Sequence, residues 1–276
     1  MKRWMFALLL TLFACQTAFG GQATAGKKLA KAPPSKPAPA GAVKASEPRL
    51  PFEAYAVADA TSGTVLEGLN MNLKWPQASL TKLMLACVVM DGVDRGDLRL
   101  TDPVAVSKKA EGMGGTQVFL KAGETFTLEE LMQAALIESA NDAAYAIAEH
   151  AAGSSEAFVE RMNAEARRLG MTNTRFANAT GLPDPQQYST AEDLARLAQR
   201  LLADFPQYSP LFAQREFTYN QITQSNRNRL LWSDGSVDGL KTGQTEGAGW
   251  SVIATAARAQ GTGDRAFGRR LVAVVL

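Results

Sequence analysis

The chain has 276 residues, of which 46% are hydrophobic and 20% charged, with a formal net charge of +2. That suits one large globular domain with appendages, and the charge balance selects no particular partner, nucleic acid included. Histidine and cysteine usage excludes more: a Ser-His-Asp triad would have to use His150, and with only Cys15 and Cys87 a zinc site on His/Cys pairs has almost no ligands.

The N-terminus reads as an export signal. Lys2 and Arg3 precede an apolar run, Trp4 to Ala14, too short to span a bilayer in mature form, and small residues at Ala18 and Gly20, or at Gly21 and Ala23, mark cleavage. A signal peptide over 1–20, with 23 as the later cut, is expected. Leu12-Phe13-Ala14-Cys15 is a weaker match to a lipoprotein processing site, because Phe13 is bulkier than that pattern takes. Once Cys15 is removed, Cys87 is the only thiol and no internal disulfide can form. Residues 21–50 are rich in Ala, Pro, Lys and Gly and have too little apolar surface to offset their ordering entropy, so a disordered linker is expected there.

The folded domain, 51–276, starts with an alternating segment, Glu53 to Ala60, that predicts a strand. Thr61-Ser62-Gly63 is a turn, and Thr64 to Leu69 the returning strand. Ser79 to Val93 is apolar and helical. Thr127-Leu128-Glu129-Glu130 is a capping-box pattern opening a helix through about Glu138. Further helices are expected over Asn141–Glu149, over Glu156–Leu169 with Gly170 as the stop, and over Thr190–Ala203 with Thr190 as cap. Arg215 to Ile222 reads as a strand, and Trp250–Ala257 with Leu271–Leu276 as a hairpin. Strands, then helices, then strands indicate an α+β fold whose ends meet in an antiparallel sheet, with a helical region inserted.

Three short patterns occur in order: Ser79-Leu80-Thr81-Lys82, Ser139-Ala140-Asn141 and Lys241-Thr242-Gly243. Positions i and i+3 share a helix face, so Ser79 and Lys82 can touch. A lysine amine can take a serine proton only when neutral, which burial or a nearby cation such as Lys241 promotes. The N–H groups of a helix start favour the negative charge of acyl transfer. Ser139 offers a hydroxyl for proton relay, and Asn141 a donor and an acceptor for a peptide backbone. Lys-Thr-Gly precedes the last hairpin and is expected on an edge strand, where an extended peptide can pair and Gly243 leaves room for it. By chance the first two patterns each arise about once in such a chain, and the third in roughly one chain in twenty, so only the ordered set carries weight.

Longer stretches resemble the D-alanyl-D-alanine carboxypeptidase family of low-molecular-mass penicillin-binding proteins: Ala78 to Met84, Ile137 to Ala144, Gly170 to Phe176, Asn226 to Trp232 and Val237 to Gly243. The resemblance runs from about Leu50 to Leu276. It implies a β-lactamase/transpeptidase-like fold, a five-stranded antiparallel sheet flanked by helices, and no metal or cofactor. It further implies Ser79 as nucleophile toward the terminal D-Ala-D-Ala bond of a peptidoglycan stem peptide, and Lys82 as general base. Ser139 and Lys241 would relay protons, Asn141, Thr242 and Gly243 would bind substrate, and the N–H groups of Ser79 and Gln244 would form the oxyanion hole. β-Lactams would act as inhibitors by acylating Ser79, in the periplasm or cell envelope.

Two departures stand out. Gln244 occupies a position where the family usually has histidine. Relatives also continue past the strand matching Leu271–Leu276, with a basic residue for the substrate carboxylate and a closing helix, and many add a β-rich domain and an amphipathic membrane anchor. The sequence shows no such anchor, and an incomplete catalytic domain is expected. Alternatives from other classes are an endopeptidase of wall cross-links, an inert wall-binding or β-lactam-sensing protein, and a β-lactamase. For the last, Glu165 to Leu169 is followed by Gly170 rather than the required asparagine and reads as a helix end.

Overall fold

The computed structural model describes residues 51–260 and 267–276. The expected signal segment, its cleavage sites, Cys15 and the linker lie outside the described residues.

Five strands make the main sheet: β1 (Tyr55–Asp59), β2 (Val65–Leu69), β7 (Val237–Thr245), β8 (Gly249–Gln260) and β9 (Phe267–Val275), in the order β2-β1-β9-β8-β7, each pair antiparallel. The first and last strands of the domain are neighbours, with Tyr55 opposite Val275 and Asp59 opposite Leu271. Period-two alternation does the sorting: Ala56, Ala58, Ile253, Val272, Val274 and Leu276 enter the core. There they meet Leu194, Leu197 and Leu201 of the helix Ala191–Asp204. Thr190 caps that helix by accepting the Asp193 N–H at 3.1 Å.

Between the second and seventh strands lie the helices. The central one, α1 (Thr81–Asp94), buries Leu83, Met84, Leu85, Ala86, Cys87, Val89 and Met90. A helix apolar on nearly every side has to run through a core, not over it. α1 is packed by Asn141–Ala152, Ser155–Arg168 and Ala191–Asp204. The capping box at Thr127 is formed, and the helix it opens, Leu128–Gln133, ends in a π-helical turn, Ala134–Glu138. Gly170, at φ +70°, follows the end of Ser155–Arg168.

One expected strand is corrected. Arg215–Ile222 is not a single strand but the first arm and turn of a hairpin, β5 (Glu216–Tyr219) with β6 (Ile222–Ser225), outside the main sheet. Its turn residues Asn220 and Gln221 are both left-handed, as a tight two-residue hairpin requires. Glutamine at the second position hides the turn, because the usual signal there is glycine. A second small sheet pairs β3 (Pro103–Ala105) with β4 (Thr125–Thr127).

Candidate active site

Ser79 sits in a short 3-10 turn, Ala78–Leu80, that leads directly into α1, so the nucleophile candidate precedes the α-helix proper. Ala78 takes φ +48° to set that turn. Ser79 is partly exposed, whereas Lys82, one turn on, is completely buried. The Lys82 Nζ donates to Ser79 Oγ at 3.2 Å, Asn141 Oδ1 at 2.7 Å and the Thr180 carbonyl at 2.6 Å. Burial pushes the Lys82 ammonium well below the ordinary lysine value, and the cations Lys241 and Arg227 push it further, with Asp142 opposing.

The second pattern lies where the π-helical turn meets the helix Asn141–Ala152. Ser139 is left-handed at φ +74°, and its buried hydroxyl has no hydrogen-bond partner among the described residues. Asn141 is not a helix cap; it is the first helical residue. Its side-chain oxygen faces Lys82 and its Nδ2 donates to the Gly114 carbonyl at 2.7 Å. The neighbouring Asp142 carboxylate accepts the N–H groups of Val118 and Leu120, at 3.3 and 3.0 Å, which stitches the 114–120 loop to the same corner.

The third pattern is on β7, the outer strand beside β8, as expected. Lys241 is 2% exposed and donates to the Thr242 carbonyl at 3.1 Å. Burial, then Arg227, lowers it to about 7, against the opposing pull of Glu138. At Gly243 an added Cβ would stand 3.1 Å from the Gln77 carbonyl and 3.3 Å from the Ala78 Cβ, so the absence of a side chain lets the strand lie against the Ser79 turn. Thr242 is half-buried and Gln244 exposed, opposite Trp250.

All three patterns therefore converge, and they bring residues the sequence did not announce. Thr180 supplies a carbonyl to Lys82. Gly181, at φ +88°, packs against the Ala78 carbonyl, and a Cβ there would lie 2.9 Å from the Ser79 nitrogen. The Asn-Ala-Thr-Gly run signals a turn, but not where it docks. Arg227 binds Glu138 at 2.6 Å, beside Ser139, and is presented by the buried Asn226 and Asn228. His150 has Asp102 as its acidic neighbour, at 3.8 Å. Glu165 is engaged by Arg168 and by the Cys87 thiol, at a helix end. Among the described residues no three His, Cys, Asp or Glu side chains are gathered as a metal site needs, and no helix is long and apolar enough to cross a membrane.

The fold is that of penicillin-binding proteins. Penicillin-binding protein 6B of Escherichia coli superimposes with a TM-score of 0.75 at 36% identity, covering 84% of this chain and 72% of that one. Penicillin-binding protein D2 of Listeria monocytogenes, solved in an ampicillin-bound form, gives 0.72 at 31% identity, over 83% and 91%. More narrowly, the family model described as D-alanyl-D-alanine carboxypeptidase, peptidase family S11, matches residues 41–276, and the chain belongs to that family. The D-alanyl-D-alanine carboxypeptidase DacC of E. coli strain K12 is 42% identical over 236 residues, which are 83% of this chain and 57% of the relative. The chain thus spans a little over half the length of the first curated relatives it matches, at 54–57%.

Proposed function

We propose that this chain carries the catalytic domain of a serine-type D-alanyl-D-alanine carboxypeptidase, exported to the periplasm or cell envelope, that removes the terminal D-alanine of peptidoglycan stem peptides and is inhibited by β-lactams. The observation that carries it is the Lys82 amine: wholly buried, pushed toward neutrality, and 3.2 Å from Ser79 Oγ. A neutral amine has two N–H groups and a lone pair. Asn141 Oδ1 and the Thr180 carbonyl accept the two N–H groups, and the lone pair is left for the Ser79 hydroxyl proton.

In this mechanism Ser79 Oγ attacks the carbonyl between the two D-alanines as its proton passes to Lys82. The N–H groups of Ser79 and Gln244 hold the oxyanion. Thr242 and Gly243 on β7 pair with the peptide, and Asn141 orients it. Ser139 and Lys241 carry the proton to the leaving nitrogen; the C–N bond breaks and free D-alanine departs. Water then hydrolyses the acyl-Ser79 ester. A β-lactam acylates the same oxygen by opening its ring. Ligand-bound Listeria D2 supports this for the fold.

The test is intact mass after incubation with a β-lactam, on the chain and on Ser79→Ala, together with D-alanine release from a stem pentapeptide. A stoichiometric adduct on the chain and none on the variant is expected, with free D-alanine from the peptide. An adduct that survives Ser79→Ala overturns the assignment.

A further inference from the structure

One buried carboxylate beside Ser139 takes no part in the proton transfers above. Glu138 ends the π-helical turn, immediately before Ser139, and is 8% exposed. Its Oε1 accepts from the Arg227 guanidinium at 2.6 Å. The two partners are buried unequally: the Arg227 side chain is 47% exposed and that of Glu138 11%. Water can solvate the arginine without its partner, but a buried carboxylate needs its cation. Putting the acid on the inner side therefore has to be explained by what lies inside, and that is two amines.

The charges around Lys241 are few. Lys82 comes from α1, Glu138 from the π-helical turn and Arg227 from the 226–229 segment. Asp142, on the helix after Ser139, acts on Lys82 and is held by the Val118 and Leu120 N–H groups. The Ala78–Leu80 turn and the short helices Ser209–Ala213 and Leu230–Ser233, which also pack on β7, contain no charged residue. Arg229, ahead of the last of these, is exposed and lies over the Trp232 ring. Toward the start of β7, Asp238 pairs with Arg270, and Arg258 of β8 pairs with Asp234. Among the described residues Glu138 is thus the one carboxylate that pulls appreciably on the Lys241 ammonium.

We infer that Glu138 is a positioning residue for acyl transfer: its ion pair holds Arg227 at the site and offsets that cation, so that Lys241 still carries its proton when Ser79 attacks. The inference rests on the carboxypeptidase reading above, in which Lys241 helps carry the proton to the leaving nitrogen. Arg227 lowers Lys241 and Glu138 raises it, and at about 7 a small change in field changes the charge. Arg227 also lowers Lys82, on which Glu138 has no such marked effect. The two residues should therefore mark a pH profile differently. Acylation needs Lys82 neutral, which sets the acid limb, and Lys241 charged, which sets the alkaline limb. Loss of the Glu138 charge moves the alkaline limb to lower pH. Loss of the Arg227 charge moves both limbs to higher pH.

The test is the second-order rate constant for acylation by a chromogenic β-lactam, followed from about pH 5.5 to 9.5, which reports the groups of the free protein. Glu138→Gln keeps an oxygen for Arg227 and loses the charge. It is expected to acylate about three- to tenfold more slowly than the parent at about pH 8.5, and within about threefold of it at about pH 6. Glu138→Asp should bring the rate at about pH 8.5 back to within about twofold of the parent. Glu138→Gln combined with Arg227→Gln should return the alkaline limb toward its parental position, because both opposing charges are gone. An unmoved alkaline limb in Glu138→Gln, or a loss equal at every pH, overturns the inference while the carboxypeptidase reading stands. A double variant whose limb stays where Glu138→Gln put it overturns the part assigned to Arg227. A parent chain that is not acylated at any pH overturns the carboxypeptidase reading, and the inference with it.

Discussion

Two buried polar regions adjoin in this molecule and are built in opposite ways. In the 163–193 segment buried and half-buried polar side chains are held by hydrogen bonds. Asn163 accepts the Phe176 N–H and donates to its carbonyl. Asn178 Oδ1 accepts from Thr180 and Gly181, Gln187 Oε1 from Ala177 and Asn178, and Asp193 from Asn173 and Thr174. Around Ser79 the pattern reverses. Two amines are buried near each other, the Ser139 hydroxyl has no partner among the described residues, and Ala78 and Ser139 take left-handed backbone without being glycine. The regions meet at Thr180–Gly181, which Asn178 fixes on one side and which touches Lys82 and Ser79 on the other. A hydrogen-bonded frame supports a site whose own groups are held in states they would not choose alone.

Replacing a site lysine by a hydrocarbon should therefore harm activity and help the fold. Lys241→Met is expected to lower acylation and turnover at least about a hundredfold, the scale of a lost proton-transfer partner. It should also raise stability by on the order of 2–4 kcal/mol near pH 6. The sign follows from the direction of the shift. A lysine held at about 7 in the fold, against about 10.4 unfolded, burdens the native state fully below pH 7. That burden is relieved as pH rises from 7 to about 10.4, so the stability gap between variant and parent should close over that window. Thermal unfolding of both proteins from pH 6 to 10 measures it; a gap that is absent or independent of pH breaks the comparison.

Gly181 is the joint between the two regions, and a methyl group there should sharpen the contrast. Gly181→Ala places a Cβ against the Ala78 carbonyl and 2.9 Å from the Ser79 nitrogen, at φ +88°. A misplaced nucleophile turn is expected to cost about tenfold or more in acylation rate. The left-handed backbone alone should cost about 1–2 kcal/mol, and the clash with the Ala78 backbone adds to it. Stopped-flow acylation by a chromogenic β-lactam and urea unfolding read the two effects separately. Unchanged acylation would mean that the Thr180–Gly181 contact positions nothing.

The hydrogen-bonded region is also the one the sequence hides. Period-two and helical patterns announced the sheet strands and the main helices, because burial acts on many residues at once and leaves a rhythm. The three motifs announced the residues that meet at Ser79, because acyl transfer narrows the usable residue types. Thr180 gave no signal: it contributes a carbonyl, which every residue has. Gly181 carries no local signal of its role either, since its close neighbour is about a hundred residues away in sequence. The β5–β6 hairpin was missed for a local reason, a left-handed glutamine where glycine is the usual mark. What is legible is chemistry and periodicity; what is not is the backbone that places them.

The smallest effect on activity is expected from Gln187, and it separates frame from chemistry most cleanly. Its Oε1 accepts the N–H groups of Ala177 and Asn178 at 3.0 Å each, and the side chain is 5% exposed in residue terms. Gln187→Ala leaves two buried donors without their acceptor and should cost about 2 kcal/mol or more of stability. Asn178 still holds Thr180 and Gly181 in the folded molecules, so acylation per folded molecule should stay within about threefold of the parent. Gln187→Glu keeps an oxygen for both N–H groups while losing the donor side, and should recover part of the stability above the carboxyl pKa. A frame residue loses fold and keeps rate, whereas Lys241 loses rate and gains fold. If Gln187→Ala instead lost acylation in proportion to Lys241→Met while remaining folded, the division between the two regions would be wrong, and the 177–187 segment would have to be counted as part of the site.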